Sequence, residues 1–161
     1  MSGGFVRFDR IDKRILSELQ NNGRITNLEL ADKVGLSPSP CLRRVKQLED
    51  EGIIDGHVTL LNAAKLGLKM MALLQVSMDR HTPDRFECFE EAIKDFPEVL
   101  ECLLITGQSA DYLLKVLVPD MEIYQDFLLN KITRITGVTD VHSSFVLRQV
   151  ISTTKLPLAD V

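Results

Sequence analysis

The sequence predicts an α+β chain in two parts: a helix-turn-helix domain of winged-helix type over residues 1–56, a linker over 57–66, and a ferredoxin-like βαββαβ domain over 67–161. Three observations carry this reading. Two short, well-capped helices lead through a tight turn into a proline-started basic helix. Beyond Leu66, period-two apolar runs alternate with helical stretches. The 45% hydrophobic content is enough for two small cores, and no apolar run approaches the eighteen residues of a membrane span.

The first helix has Asp9 as its cap and Asp12 near the positive end of its dipole, with Ile11, Ile15, Leu16 and Leu19 as its apolar side. Asn21, Asn22 and Gly23 stop it. The second begins at Thr26-Asn-Leu-Glu29, a capping box in which hydroxyl and carboxylate satisfy each other's free backbone amides. Leu28, Leu30, Ala31 and Val34 supply its apolar contacts, and Gly35 is the left-handed stop. In the third, Pro40 disfavours a helical Ser39, which places Ser39 at the cap and Pro40 at the first helical position, with Ser37 as the alternative cap. Cys41, Leu42, Val45 and Leu48 then share one face, and Ser39, Arg43, Arg44, Lys46 and Gln47 the other.

A basic helix face taken alone is usually just solvated. Preceded by a capped helix and a short turn, it becomes the second element of a helix-turn-helix, which enters the major groove by its N-terminal residues. The DNA-binding candidates are therefore Ser37, Ser39, Arg43, Arg44, Lys46 and Gln47, with Arg24, and Lys13 or Arg14, reaching phosphates. Residues 1–56 hold nine basic and nine acidic side chains and residues 57–161 ten and fourteen, so the net −4 lies in the second part. The positive field must come from local clustering, with several copies acting together.

Residues 52–62 run from a helix stop into an extended stretch, either a small wing-like hairpin about Asp55-Gly56 or one bent strand. His57 is a solvated loop residue or a phosphate contact. Strands are expected at 68–78, 99–106, 112–118 and 138–151, and helices at 83–96 and at 120–131, the latter capped by Asp120. Met70, Ala72, Leu74 and Val76 alternate with Met71, Leu73 and Gln75, so both faces of the first strand carry apolar groups. With both helices on one face, a partner subunit is the natural cover for the other.

Four segments in order resemble one family: residues 9–16, residues 23–31, residues 34–49 and Gly52-Ile-Ile. Together they look like the leucine-responsive and asparagine-responsive (Lrp/AsnC, feast/famine) transcription regulators, and the likeness continues through nearly the whole chain. The resemblance implies a factor that binds promoter DNA as a dimer, assembles further into a tetramer of dimers, and senses an amino acid. The polar interruption Gly107-Gln-Ser-Ala-Asp111 resembles the family's effector loop; read from its residues alone, it is an effector site or a simple hairpin turn. By that resemblance the ligand lies between subunits near Leu104, Thr106, Gly107, Gln108, Ser109 and Asp111, with Asp79, Arg80, His81 and Thr82 contributed by another chain. No fixed charge is left over for a charged ligand side chain, which points to an aliphatic amino acid, leucine or methionine.

Other classes fit less well. His57, His81 and His142 stand in no nucleophile-and-base signature, so no enzyme is expected. A DNA-compacting architectural protein without a ligand is the alternative, differing only at the loop. The three scattered cysteines read as reduced, mostly packed side chains, with no metal site and no cofactor beyond the amino-acid effector. With neither a span nor a leader, a soluble, cytoplasmic protein is expected.

Overall fold

The structure is a computed structural model and describes residues 8–107 and 110–159. The chain divides into two compact units: residues through Leu60 together with those from Ile151 onward, and Leu61–Val150. The sequence reading sets the second domain at 67–161; in the structure the stretch from Ile151 groups with the first unit.

In that first unit α1 (Arg10–Asn21) and α2 (Asn27–Val34) start on full capping boxes, Asp9 with Asp12 and Thr26 with Glu29. Gly35 ends α2 at φ 77°, a left-handed conformation that a Cβ would strain, and lets the Leu36 amide return to the Ala31 carbonyl. The third helix, α3 (Pro38–Asp50), starts two residues before the expected Pro40, with Ser37 as its N-cap. Both prolines fit because the first amides of a helix have no partner within it; the first intrahelical bond runs from the Cys41 amide to the Ser37 carbonyl. Ile15, Leu16, Leu30, Ala31, Val34, Cys41 and Leu48 form the core. Leu28 and Leu42, expected to pack, are exposed instead. No hairpin follows α3 among the described residues; 55–62 is unpaired, so neither the wing nor a strand forms there.

The second unit has the order β1 (Met70–Met78), α4 (Pro83–Lys94), β2 (Val99–Leu104), β3 (Tyr112–Val118), α5 (Met121–Asp126) and β4 (Val138–Phe145). The antiparallel sheet runs β2-β3-β1-β4, the ferredoxin-like arrangement. Ala72, Leu74, Val76 and Met78 of β1 and Tyr112, Leu114, Val116 and Val118 of β3 bury one face beneath Phe89 and Ile93 of α4 and Tyr124 of α5. The expected helix over 120–131 breaks after Asp126 into a π turn over Phe127–Lys131 and a 3-10 turn over Ile132–Arg134. Phe127 and Ile132, five residues apart, are both fully buried, a spacing that a π turn aligns and an α-helix does not. β4 is shorter than expected because β1, its only partner among the described residues, begins at Met70; the last ladder contact is the Val146 amide on the Met71 carbonyl.

The opposite sheet face carries Met71, Leu73 and Gln75 of β1, Leu113 and Leu117 of β3, and the exposed Leu103 of β2. Of the cysteines, Cys41 is buried, whereas Cys88 and Cys102 are exposed, contrary to the expected packing. No helix among the described residues is long and apolar enough to cross a membrane.

Candidate nucleic-acid interface and effector loop

The turn between α2 and α3 is fixed from both sides. Gly35 reverses the chain, and the Asn27 side-chain amide donates to the Pro38 carbonyl at 2.9 Å, tying the two helix starts together. From this frame α3 projects Arg43 and Lys46, exposed and without a hydrogen bond or ion pair among the described residues. Ser37 and Ser39 are exposed at its start, and Ser37 makes no side-chain cap bond. Arg24 is exposed just before α2, where among the described residues only its backbone amide is engaged, by Asn22. These groups are free to meet phosphates and base edges.

Arg44 differs from the sequence reading. Its Nη1 donates to Asp9 Oδ2 and to Asp12 Oδ1, both at 2.7 Å, and its side chain is only 31% exposed. Arg44 therefore joins α3 to the capping box of α1 and is not an uncommitted donor. The Asp12 amide, followed by the Arg44 guanidinium, holds the Asp9 carboxyl below its usual range, while the same carboxylates raise Arg44. Gln47 donates to Glu51 Oε1 at 2.8 Å, so its amide is partly committed along the helix. Arg14 donates to the Lys33 carbonyl, and Lys13 lines a groove of the same unit. Periodicity missed Leu42, which is 57% exposed beside Arg43 and offers an apolar surface of the kind that meets a thymine methyl. Its neighbours in sequence carried no signal of that exposure.

At one end of the sheet, the loop after β1 and the loop before β3 converge. Asp111 is held on every side: its amide donates to the Val76 carbonyl (2.9 Å) and its carbonyl accepts from the Ile105 amide (2.8 Å). Its Oδ2 accepts from the Met78 amide and its Oδ1 pairs with His81 Nε2, each at 2.7 Å. His81 thus reaches Asp111 within one chain, where the resemblance had supplied residues 79–82 from another. Asp79 pairs with Arg85 Nε at 3.2 Å, Arg80 is exposed, and Thr82 is the N-cap of α4. Gly107 takes φ 85°, giving the loop a left-handed residue after Thr106, while Leu104 ends β2 in an exposed position. Gln108 and Ser109 lie outside the described residues.

Beyond this loop, Tyr112 donates its hydroxyl to Glu90 Oε1 at 2.8 Å; burial, then that carboxylate, raise its pKa and keep it a neutral donor.

A family model described as winged helix-turn-helix DNA-binding matches residues 8–55, and one described as the Lrp/AsnC ligand binding domain matches residues 71–156. The leucine-responsive regulatory protein of Klebsiella pneumoniae is 43% identical over 148 residues, covering 92% of this chain and 90% of that protein. A transcriptional regulator from Neisseria meningitidis, solved as its L-methionine complex, superposes with a TM-score of 0.91 at 44% identity, covering 96% of this chain and 99% of that one. An AsnC family transcriptional regulator from Agrobacterium tumefaciens gives a TM-score of 0.88 at 38% identity, over 94% and 97% of the two chains.

Proposed function

The chain belongs to the Lrp/AsnC family, and from that premise we propose that it is a cytoplasmic transcriptional regulator that grips promoter DNA with α3 and answers to a small aliphatic amino acid. The observation that carries this reading is the division of labour on α3: Arg44 turned into the α1 cap, Arg43 and Lys46 left free and exposed. Two such cations on a neutral unit are few, so binding is shared among copies, a dimer and then a tetramer of dimers.

The amino acid is leucine or methionine, taken up around Leu104, Thr106, Gly107, Gln108, Ser109 and Asp111 with residues 79–82 at the rim. Support comes from the converging loops and from the L-methionine held by the Neisseria relative. The test is a titration of labelled promoter DNA read by fluorescence anisotropy at several salt concentrations, with and without each amino acid. Tight binding at low salt that falls steeply with salt and shifts with leucine or methionine is expected. Salt-insensitive binding would refute the interface.

One observation favours a second reading, in which the protein compacts DNA without a ligand. Both carboxylate oxygens of Asp111 are already engaged inside the chain, as a purely structural hairpin would have them. Calorimetry with a panel of the twenty amino acids separates the two: heat from an aliphatic amino acid favours the sensor, and none favours the compactor.

A further inference from the structure

We propose that residues 154–158 form a strap that docks on the helix-turn-helix unit and completes its core, so that two stretches of chain, not one, connect this unit to the sensor sheet. The residues from Ile151 onward cluster with the first sixty, although they follow directly from β4 and Val146. The docking is specific. The Gln20 carboxamide takes both backbone groups of Leu156: Nε2 donates to its carbonyl at 3.2 Å, and its amide donates to Oε1 at 2.6 Å. That pair of bonds is what a neighbouring strand would supply. Lys155 Nζ reaches Asn21 Oδ1 at 2.6 Å, and Leu158 packs against the core of the unit.

The segment forms one wall of a groove of about 950 Å³ with Leu156, Pro157 and Leu158, and Leu19, Ile54 and Val58, from the C-terminal half of α1 and residues 53–60, form the facing wall. The strap's own sequence suits it. Pro157 fixes its own φ and holds Leu156 extended, so little freedom is lost on docking, and it brings no amide donor of its own into an apolar groove. Gln20, in the last turn of α1, has no other part in the core or the DNA face. A displacement of β4 therefore has a covalent route to α1 that does not pass through residues 55–62.

The experiment is amide hydrogen exchange on the full-length protein and on Gln20→Ala, with a chain ending at Ser152 as a second variant. The Leu156 amide should be protected in the parent, and in Gln20→Ala it and the last turn of α1 should exchange about tenfold faster, the scale of losing one or two net hydrogen bonds. The sheet of the second unit should not change. Gln20→Glu, which keeps the acceptor for the Leu156 amide and loses the donor, should fall between. The shortened chain should bind promoter DNA about tenfold more weakly. An unprotected Leu156 amide in the parent, or identical exchange of α1 in Gln20→Ala, would overturn the strap. A photoreactive side chain at position 158, in a mixture of isotope-labelled and unlabelled chains, should give adducts that are each wholly labelled or wholly unlabelled; adducts joining a labelled to an unlabelled peptide would refute docking within the chain.

Discussion

Arg43 and Arg44 are adjacent and chemically identical, yet their surroundings assign them opposite work. Arg43 is exposed and makes no hydrogen bond or ion pair among the described residues, so Arg43→Ala should leave the melting temperature unchanged and weaken DNA binding by about 1–3 kcal/mol. Arg44 bridges two carboxylates of α1, so Arg44→Ala should cost about 1 kcal/mol of stability, with DNA binding falling through the seating of α3. Thermal melts beside anisotropy titrations check both; a loss of stability in Arg43→Ala, or none in Arg44→Ala, would reverse the assignment. Asp111 is a similar case. Its Oδ2 is the acceptor for the amide of buried Met78, so Asp111→Ala should destabilise the second unit by about 1–3 kcal/mol, and Asp111→Asn, which keeps an acceptor, should recover part of that. Chemical unfolding of the two variants against the parent is the measurement, and an unperturbed Asp111→Ala would show that the anchor is dispensable.

At the scale of elements, the capping boxes make the first unit sensitive to acid. The Thr26 amide, then its hydroxyl, hold the Glu29 carboxyl below its usual range, and the Asp12 amide and Arg44 do the same for Asp9. Carboxyls lowered on folding contribute stability that is present above their unfolded pKa values and lost as pH falls through the lowered ones. Between about pH 5 and pH 3, α1 and α2 should therefore begin to exchange their amides before β1 and β3 do, and Thr26→Ala should already weaken α2 by about 1 kcal/mol at neutral pH. Loss of protection in the sheet first would contradict this. These caps were legible in the sequence because each is closed within three or four residues, as was β3, bounded by a polar loop and Asp120. What escaped was decided at a distance. Arg44 meets partners 32 and 35 residues away, and Leu156 meets Gln20 across 136 residues. The π turn needs the joint burial of Phe127 and Ile132, and the start of α3 was ambiguous because Pro38 and Pro40 both satisfy a helix N-terminus. At the candidate site, the free cations and the loop were readable as residue types, whereas their engagement by neighbours was not.

For the whole molecule, the sheet face away from the helices carries the argument about assembly. Met71, Leu73, Leu113 and Leu117 are half-buried there, and Leu103 is 51% exposed beside Leu113 in the register of β2 with β3. Glu101 and Lys115, paired at 2.7 Å, lie within this face, Lys115 between Leu113 and Leu117 and opposite Leu73, so the charge pair among these apolar groups is internally neutralised. A chain whose DNA-binding unit is neutral overall needs a second copy to add phosphate contacts, and a shared sheet face would supply it without occupying α3. Leu103→Glu sets a carboxylate on this face beside Glu101, at a position already open to solvent, so the isolated chain should fold as before. Light scattering should then show the mass falling below that of the parent assembly, and the DNA titration should lose its cooperativity and show a shallower dependence on salt, since fewer phosphates are neutralised per complex. An unchanged mass with unchanged cooperativity would mean that copies meet through another surface.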